Sequence, residues 1–476
     1  MVVRLAVGAL LVGTILRFTL VHPLYGAEEP HTIGRAQSSG GVILDPSFYV
    51  NGPPTSKFRD NLKPSFKYIT AFDYGGFTND YMVWCNMIYL AVISRRIPIL
   101  SPLLPLELHV GAGGDSIDFG EIFDLPRLSE AIQTPILQWS DVKKAPYNSP
   151  FDPYKDDTVS GAEMDFLGCW SLWPTMNKKE HEPLFGGLPS FLNLGIVWTQ
   201  APSWIMLTND GDFTASLSAL AKMLLPEARK QFLSTPDARA GVTYDDIPED
   251  IGAQLYPDDQ LACFDNLYWV GVADRFEWEK RKHPVWELVG TNLHFTQKVE
   301  DIASLYLRRL FGLNGHNETE IPPYISIHVR HNDFLNQCGG VRLEDCAAPL
   351  SAYVRRVKQV QDELAILHGP DSPLAKVQNV VVTSDERDPE WWAEVHKLGW
   401  LGTKELDEEI GTKYGRWYPT IIDAVIQSRA KAFVGTQGST MSDYAARRVQ
   451  DWQQGPWKLV RWKYKDADLS YSGDFA

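Results

Sequence analysis

Four short stretches of this chain carry residue types and spacings suited to a phosphorylated, nitrogen-rich ligand. In the first, an apolar run ends in His328-Val329-Arg330, and Asp333 follows three residues later. An arginine fork binds a diphosphate through two hydrogen bonds and stabilises the charge that grows on a departing nucleoside diphosphate. Asp333 can hold that guanidinium in place; an Arg–Asp pair that merely closes a surface loop is the plainer reading. The second stretch, Thr383-Ser384-Asp385-Glu386, precedes a helix carrying Trp391 and Trp392. It reads either as an acidic helix cap or as a base reader, with Asp385 accepting from the exocyclic amine and ring N–H of guanine. The third runs from Gly435 and Thr436 through Gly438, Ser439 and Thr440 into a helix. Backbone N–H groups at that helix start, with the two hydroxyls, form an anion site, unless the stretch is only a cap. The fourth is the turn Gly75-Gly76-Phe77-Thr78-Asn79-Asp80. Asn79 there is a polar group for ligand, and Asp80 is either a general base or a helix cap.

These stretches need strands and helices to bring them together. Residues 67–72 read as a strand, Asn79 to Arg96 as an amphipathic helix and 97–100 as the next strand, which makes a βαβ unit and hence a parallel sheet. Residues 101–260 are rich in Pro, Trp and Asp with weak periodicity, and read as irregular insertions and acceptor-side loops. Trp170 and Trp173 in that region read as core residues or as platforms for a sugar or a client protein. Residues 266–272 read as a strand and 296–311 as a helix, with a domain boundary just after it. Three strand-then-helix units follow, at 324–329, 379–383 and 432–435. Ligands of such sheets sit beyond the carboxyl ends of the strands, where three of the four chemical stretches lie.

The whole chain sets limits. Its 476 residues, 44% hydrophobic and 22% charged, suffice for two globular domains. A formal charge of −15 argues against binding a nucleic-acid backbone. The run from Leu5 to Leu16 lies between Arg4 and Arg17. It reads as an uncleaved signal anchor, with a cleaved signal peptide or a cytosolic start as alternatives. Residues 26–65, rich in Gly, Pro and Ser, read as a stem, so the folded part is expected to start near Ser65. The sequon Asn317-Glu318-Thr319 suits a secretory lumen, as does the short loop that a Cys338–Cys346 disulfide would close. Five cysteines leave at least one thiol free, and no pair has zinc-ligand spacing. Asp210-Gly211-Asp212 and Asp466-Ala467-Asp468 have the form of a divalent-cation motif beside a diphosphate. Both read as solvated loops, because such ions need more ligands than two aspartates supply.

The ordered set GGFTND at 75–80, HVRHNDF at 328–334, VVVTSDERDPEWW at 380–392 and IIDAVIQSRAKAFVGTQGSTMS at 421–442 resembles the GDP-fucose O-fucosyltransferase family over roughly residues 66–450. The resemblance implies an α/β GT-B fold of two Rossmann-like domains facing a cleft. The first would span 66–311 on the acceptor side; the second, 312–476, would bind GDP-fucose, with the hydrophobic segment 1–25 and stem 26–65 ahead of both. It implies inverting, metal-independent transfer of fucose to a protein Ser/Thr or a glycan. The apolar run near the start would put that activity in the Golgi or endoplasmic reticulum lumen, on a single-pass type II anchor if it is uncleaved. Carried over, Arg330 contacts the diphosphate and assists GDP departure, supported by His328 and Asp333, while Asp385 reads the base. Thr436, Ser439 and Thr440 lie on the phosphate loop, and Gly75, Gly76 and Asn79 shape the junction of donor and acceptor. The turn departs from the family pattern at Thr78-Asn79-Asp80, so the base is either Asp80 or the leaving diphosphate itself. A catalytically silent binding or chaperone-like relative, and a transferase for another nucleotide sugar, are the competing readings.

Overall fold

The computed structural model describes residues 37–38, 41–72, 75–105, 115–146, 164–172, 186–202, 205, 216–233, 255–272, 277–313 and 320–475. Two parallel sheets organise them. The first contains β1 (Tyr68–Ala71), β2 (Ile97–Leu100), β3 (Leu137–Gln138), β4 (Asp165–Ser171), β5 (Leu194–Gln200) and β6 (Leu261–Phe264), in the order β3-β2-β1-β6-β4-β5. The second contains β7 (Tyr324–Val329), β8 (Asn379–Ser384), β9 (Leu401–Gly402), β10 (Ala432–Thr436) and β11 (Trp457–Val460), in the order β9-β8-β7-β10-β11. Every neighbouring pair in both sheets is parallel. Strands buried on both faces are continuously apolar, which is why YISIHV and IPIL stand out in the sequence.

Between the sheets lies one continuous core. Helices α1 (Phe77–Ser94), α2 (Gln297–Leu310), α3 (Tyr418–Arg429) and α4 (Thr440–Gln453) all contribute side chains to it, from both halves of the chain. Separate clusters cover the outer face of each sheet. The expectation of an amphipathic α1 is corrected, because the helix is buried on nearly all sides. Its Trp84 indole donates to Ser101 at 2.8 Å, and Tyr81 meets Tyr444 of α4 edge to face at 4.7 Å. α2, which the sequence places at the end of the first domain, is also fastened to the second half: Arg429 of α3 donates to Ser304 Oγ at 2.7 Å. Trp417 adds another tie, donating to the Leu104 carbonyl at 3.0 Å.

Three further expectations change. The second part of the predicted stem is folded, with Tyr49, Phe58 and Leu62 buried. Phe58 N–H donates to Asp165 at 2.9 Å and Tyr68 hydroxyl to the Tyr49 carbonyl at 2.6 Å. The body therefore starts upstream of residue 65, because these side chains have apolar area to bury. The predicted strand at 266–272 is a loop, and the strand lies earlier, at Leu261–Phe264. Asn266 bends the chain by accepting from Tyr268 N–H at 2.7 Å, and Asn86 pins the loop through the carbonyls of Leu267 and Val270. The region read as irregular supplies β3, β4 and β5, of which β4 and β5 pair along seven residues. Trp170 belongs to that core.

Among the described residues no helix is long and apolar enough to cross a membrane. The segment at 1–25, the sequon at 317–319, the motif at 210–212 and Trp173 lie outside the described residues. Asp468 of the second Asp-x-Asp motif is buried against arginines, with Arg356 at 2.8 Å. Two disulfides are present: Cys338–Cys346 closes the expected short loop, and Cys169–Cys263 crosslinks β4 to β6 over a sequence separation of 94, while Cys85 is free and buried. Because the second bridge closes a long loop, replacing Cys169 and Cys263 by serine is expected to lower the unfolding free energy by about 2–5 kcal/mol, read from urea denaturation.

Candidate functional site

A cleft of about 1690 Å³ runs across the carboxyl ends of the second sheet and faces the start of α1. Its centre is Arg330, one residue beyond β7. Parallel register puts Val329 beside Ser384, so the chain leaving β8 delivers Asp385 directly to the arginine. Arg330 Nη1 pairs with Asp385 Oδ2 at 2.9 Å and Nη2 with Asp333 Oδ1 at 2.8 Å. Its backbone N–H donates to Thr436 Oγ1 at 3.0 Å, and its side chain is 25% exposed. Arg330 is thus oriented from both ends and still presents a face to the cleft. Such a fork is preorganised for an oxyanion or a diphosphate.

The other predicted residues sort by whether they reach the cleft. His328 lines the cleft but is almost wholly buried, with Nδ1 2.8 Å from Ser442 Oγ. Burial first, and the Arg330 charge second, push its imidazole down to about 3, so it is neutral at physiological pH. Thr436 is corrected from ligand contact to framework: its hydroxyl accepts from Arg330 N–H, donates toward the His328 carbonyl at 3.1 Å and lies 2.8 Å from Tyr353 Oη. Asp385, expected as a base reader, lines the cleft and braces Arg330: Oδ1 accepts from His331 N–H at 2.8 Å while Oδ2 faces the guanidinium. Asp80 is buried in the first turn of α1 and is absent from the cleft wall, so it is not placed to act as a base on a cleft ligand.

Ser439, Thr440, Gly76 and Asn79 line the cleft as well. α1 and α4 begin there and turn their N-termini toward one another: Thr440 Oγ1 donates to Asn79 Oδ1 at 3.0 Å and lies 2.7 Å from Thr78 Oγ1. Two helix starts with unpaired backbone N–H groups favour an anion between them. The glycines have separate reasons. A Cβ on Gly75 would stand 2.7 Å from Asn79 Cβ, and one on Gly435 would stand 2.6 Å from Ser442 Cβ. Each closes its helix onto the preceding loop or strand.

Sequence reasoning missed a second set of cleft residues on the β8–β9 flank. Asp423 of α3 and Asp407 both line the wall, with Lys404 pairing to Asp407 at 2.9 Å. Burial first, then Asp407, hold the Asp423 carboxyl well above its ordinary range, against a hydrogen bond from Thr403. The signal was present: an aspartate inside the apolar run IIDAVI is unusual unless the position needs a carboxyl.

A family model for GDP-fucose protein O-fucosyltransferase matches residues 68–450. Among solved structures, POFUT1 in complex with GDP-fucose is similar at 14% identity and a TM-score of 0.48, covering 84% of this chain and 98% of that one. POFUT1 in complex with GDP aligns at 16% identity and a TM-score of 0.48, covering 82% and 97%. The fucosyltransferase NodZ from Bradyrhizobium aligns at 11% identity and a TM-score of 0.34, covering 80% and 91%. No curated protein matches the chain.

The depressed His328 has a consequence for stability. In the unfolded chain an imidazole takes up its proton near pH 6.5, whereas in the fold it does so near 3. Below pH 6.5 the unfolded state therefore binds more protons, and stability falls as pH drops toward 3, by up to about 1.4 kcal/mol per unit from this group. His328→Gln is expected to flatten the pH 6.5 to 4 part of the stability curve, measured by chemical denaturation at a series of pH values.

Proposed function

As a member of the GDP-fucose protein O-fucosyltransferase family, to which the match over residues 68–450 assigns it, this chain is a fucosyltransferase, and we propose that it transfers fucose from GDP-fucose to an acceptor hydroxyl with inversion and without a metal. The observation that carries the reading is Arg330, held by Asp333 and Asp385 and aimed into a cleft where two helix N-termini meet. The two sheets are then the two Rossmann-like domains of a GT-B transferase, and the second binds the donor.

In this mechanism the diphosphate lies against Arg330 and the start of α4 at Ser439 and Thr440. The bond from the anomeric carbon to the β-phosphate oxygen breaks first, giving an oxocarbenium-like transition state. Arg330 and the helix N-H groups stabilise the charge that passes to the phosphate, which is the work a metal does in other sugar transferases. The acceptor oxygen bonds to the anomeric carbon from the opposite face. Its proton becomes strongly acidic as that bond forms, and passes through water to the released diphosphate. Asp80 takes no part. Asn79, held by Thr440, positions the reacting groups where the domains meet.

Guanine is read by Asp423 in place of Asp385. A carboxylate that recognises guanine accepts from two N–H donors at once, so it must not be spent in an ion pair, and those two donors favour its ionised form over the protonated one that burial favours in the free cleft. Asp385 and Asp333 serve Arg330 and Asp407 serves Lys404, while Asp423 is in no ion pair among the described residues. Its location is the lumen of the secretory pathway, held there by an anchor at 1–25. The two disulfides support that compartment, since such bonds persist in an oxidising environment.

Titration calorimetry with GDP, GDP-fucose, GDP-mannose and UDP-sugars, with and without chelator, tests the donor. Binding of GDP and GDP-fucose that survives chelation is expected; a requirement for metal, or preference for UDP-sugars, would sink the reading. Arg330→Ala is expected to lose about 10²–10³-fold in turnover with an unchanged circular dichroism spectrum. Asp423→Asn should weaken GDP by about tenfold or more and erase the preference for GDP over inosine diphosphate, which lacks the exocyclic amine.

A further inference from the structure

The cleft is larger than the roughly 300–1,000 Å³ that holds one small ligand. It spans the second sheet from the β9 edge, where Thr403 and Asp423 lie, to the β11 edge, where residues 461–475 fold back as a strap. With the nucleoside on the first flank and the diphosphate at the centre, the β11 flank is left for something else.

That flank is built rather than incidental. Asp443, in the first turn of α4, lines the cleft at 2% exposure, and its Oδ2 has no hydrogen-bond partner among the described residues. A buried oxygen left unmatched is unfavourable, so the site is incomplete without a ligand group there. Tyr268 and Glu279, from the first half of the chain, line the same flank and lie close enough for their charges to act on Asp443 or it on them. Arg447, one turn along α4, donates to the carbonyls of Trp278 at 3.0 Å and Lys280 at 2.6 Å, which fixes the segment bearing Glu279. Its guanidinium also sits 4.4 Å from the Phe475 ring, which fixes the end of the strap. Asp468, paired with Arg356 at 2.8 Å, anchors the middle of the strap, and Lys458 pairs with Asp474 at 2.9 Å.

We propose that the β11 flank is the acceptor subsite, that it receives a sugar ring, and that Asp443 hydrogen-bonds a hydroxyl of that sugar. The proposal rests on the donor reading above. Three observations favour a sugar over a peptide. First, the wall combines aromatic rings, Tyr268, Trp462, Tyr464 and Tyr471, with the carboxyls of Glu279 and Asp443. A pyranose has an apolar C–H face for the rings and a rim of hydroxyls for the carboxyls. Second, the edge of β11, where a peptide strand could add to the sheet, is already taken, since Leu459 N–H donates to the Gly473 carbonyl of the strap at 2.8 Å. Third, burial, opposed by Arg447 and reinforced by Glu279, holds the Asp443 carboxyl well above its ordinary range. While that carboxyl holds its proton it both donates and accepts, which matches a hydroxyl.

The test uses the full chain loaded with GDP and saturation-transfer NMR. The probes are the methyl β-glycosides of N-acetylglucosamine, galactose and mannose, with a Ser/Thr-containing peptide as comparator. At least one glycoside is expected to receive saturation. Asp443→Ala and Tyr464→Ala, the first removing both the donor and the acceptor and the second a half-exposed strap residue that a fold tolerates losing, should each weaken that glycoside by about threefold to tenfold while calorimetry shows GDP affinity essentially unchanged. Saturation of the peptide alone, silence from every glycoside, or a glycoside signal indifferent to both substitutions would overturn the proposal. Loss of GDP binding in the unmodified protein would instead overturn the donor reading.

Discussion

A guanidinium pinned between two carboxylates at the end of a buried strand is the constraint from which the site is built. Arg330 sits where a strand buried on both faces runs out, and unbraced it would either fold onto the surface or pair with a single carboxylate. Asp333 comes from its own loop and Asp385 from the neighbouring strand, 2.8 and 2.9 Å away. Parallel register is what makes the second brace possible, because it brings the ends of β7 and β8 level. Thr436 at the end of β10 then holds the arginine's own backbone. Three adjacent strand ends thus converge on one residue, and the neutral, buried His328 two positions before it adds no competing charge.

The second requirement is that the first half of the chain stay opposite this arginine. A shared apolar core meets it. α1 is buried almost all round because it lies between the first sheet and helices of the second half, and Arg448 of α4 stacks on Tyr81, Phe295 and Trp452, with ring distances of 4.8, 4.9 and 5.6 Å. The hydroxyl bridge from Thr440 to Thr78 and Asn79 is the polar end of that contact. It keeps two helix starts facing each other, and the electrostatics of the cleft follow from their orientation.

Much of this was legible in the chain. The strands at 97–100 and 324–329 are continuous apolar runs, and their bounds in the structure agree with the reading. The motifs around Arg330, Ser439 and Asn79 stand at the loop ends where a parallel sheet places ligands, and the structure brings them into one cleft. The reading failed where local pattern and burial part company. β4 and β5 contain Gly, Trp and polar residues among apolar ones and are buried because of what covers them. Tyr49, Phe58 and Leu62 look like isolated apolar residues in a Gly- and Pro-rich stem until a sheet provides a surface for them.

What the sequence by itself determined was the inventory and the order: a parallel α/β chain, an arginine with a carboxylate at a strand end, hydroxyls at a helix start, and a glycine turn ahead of a helix. These are properties of residues close together in the chain, so spacing reveals them. What only the tertiary structure decided was which polar atoms remain available. Asp385 and Thr436 carry suitable groups but spend them inside the fold, and Asp80 is carried away from the cleft by the helix it begins. Asp443, unremarkable in the sequence, and Asp423, marked there only by its place in an apolar run, are left lining the cleft. A hydrogen bond made across 50 or 100 residues leaves no trace in local spacing, and the partner it consumes is settled only when the chain is folded.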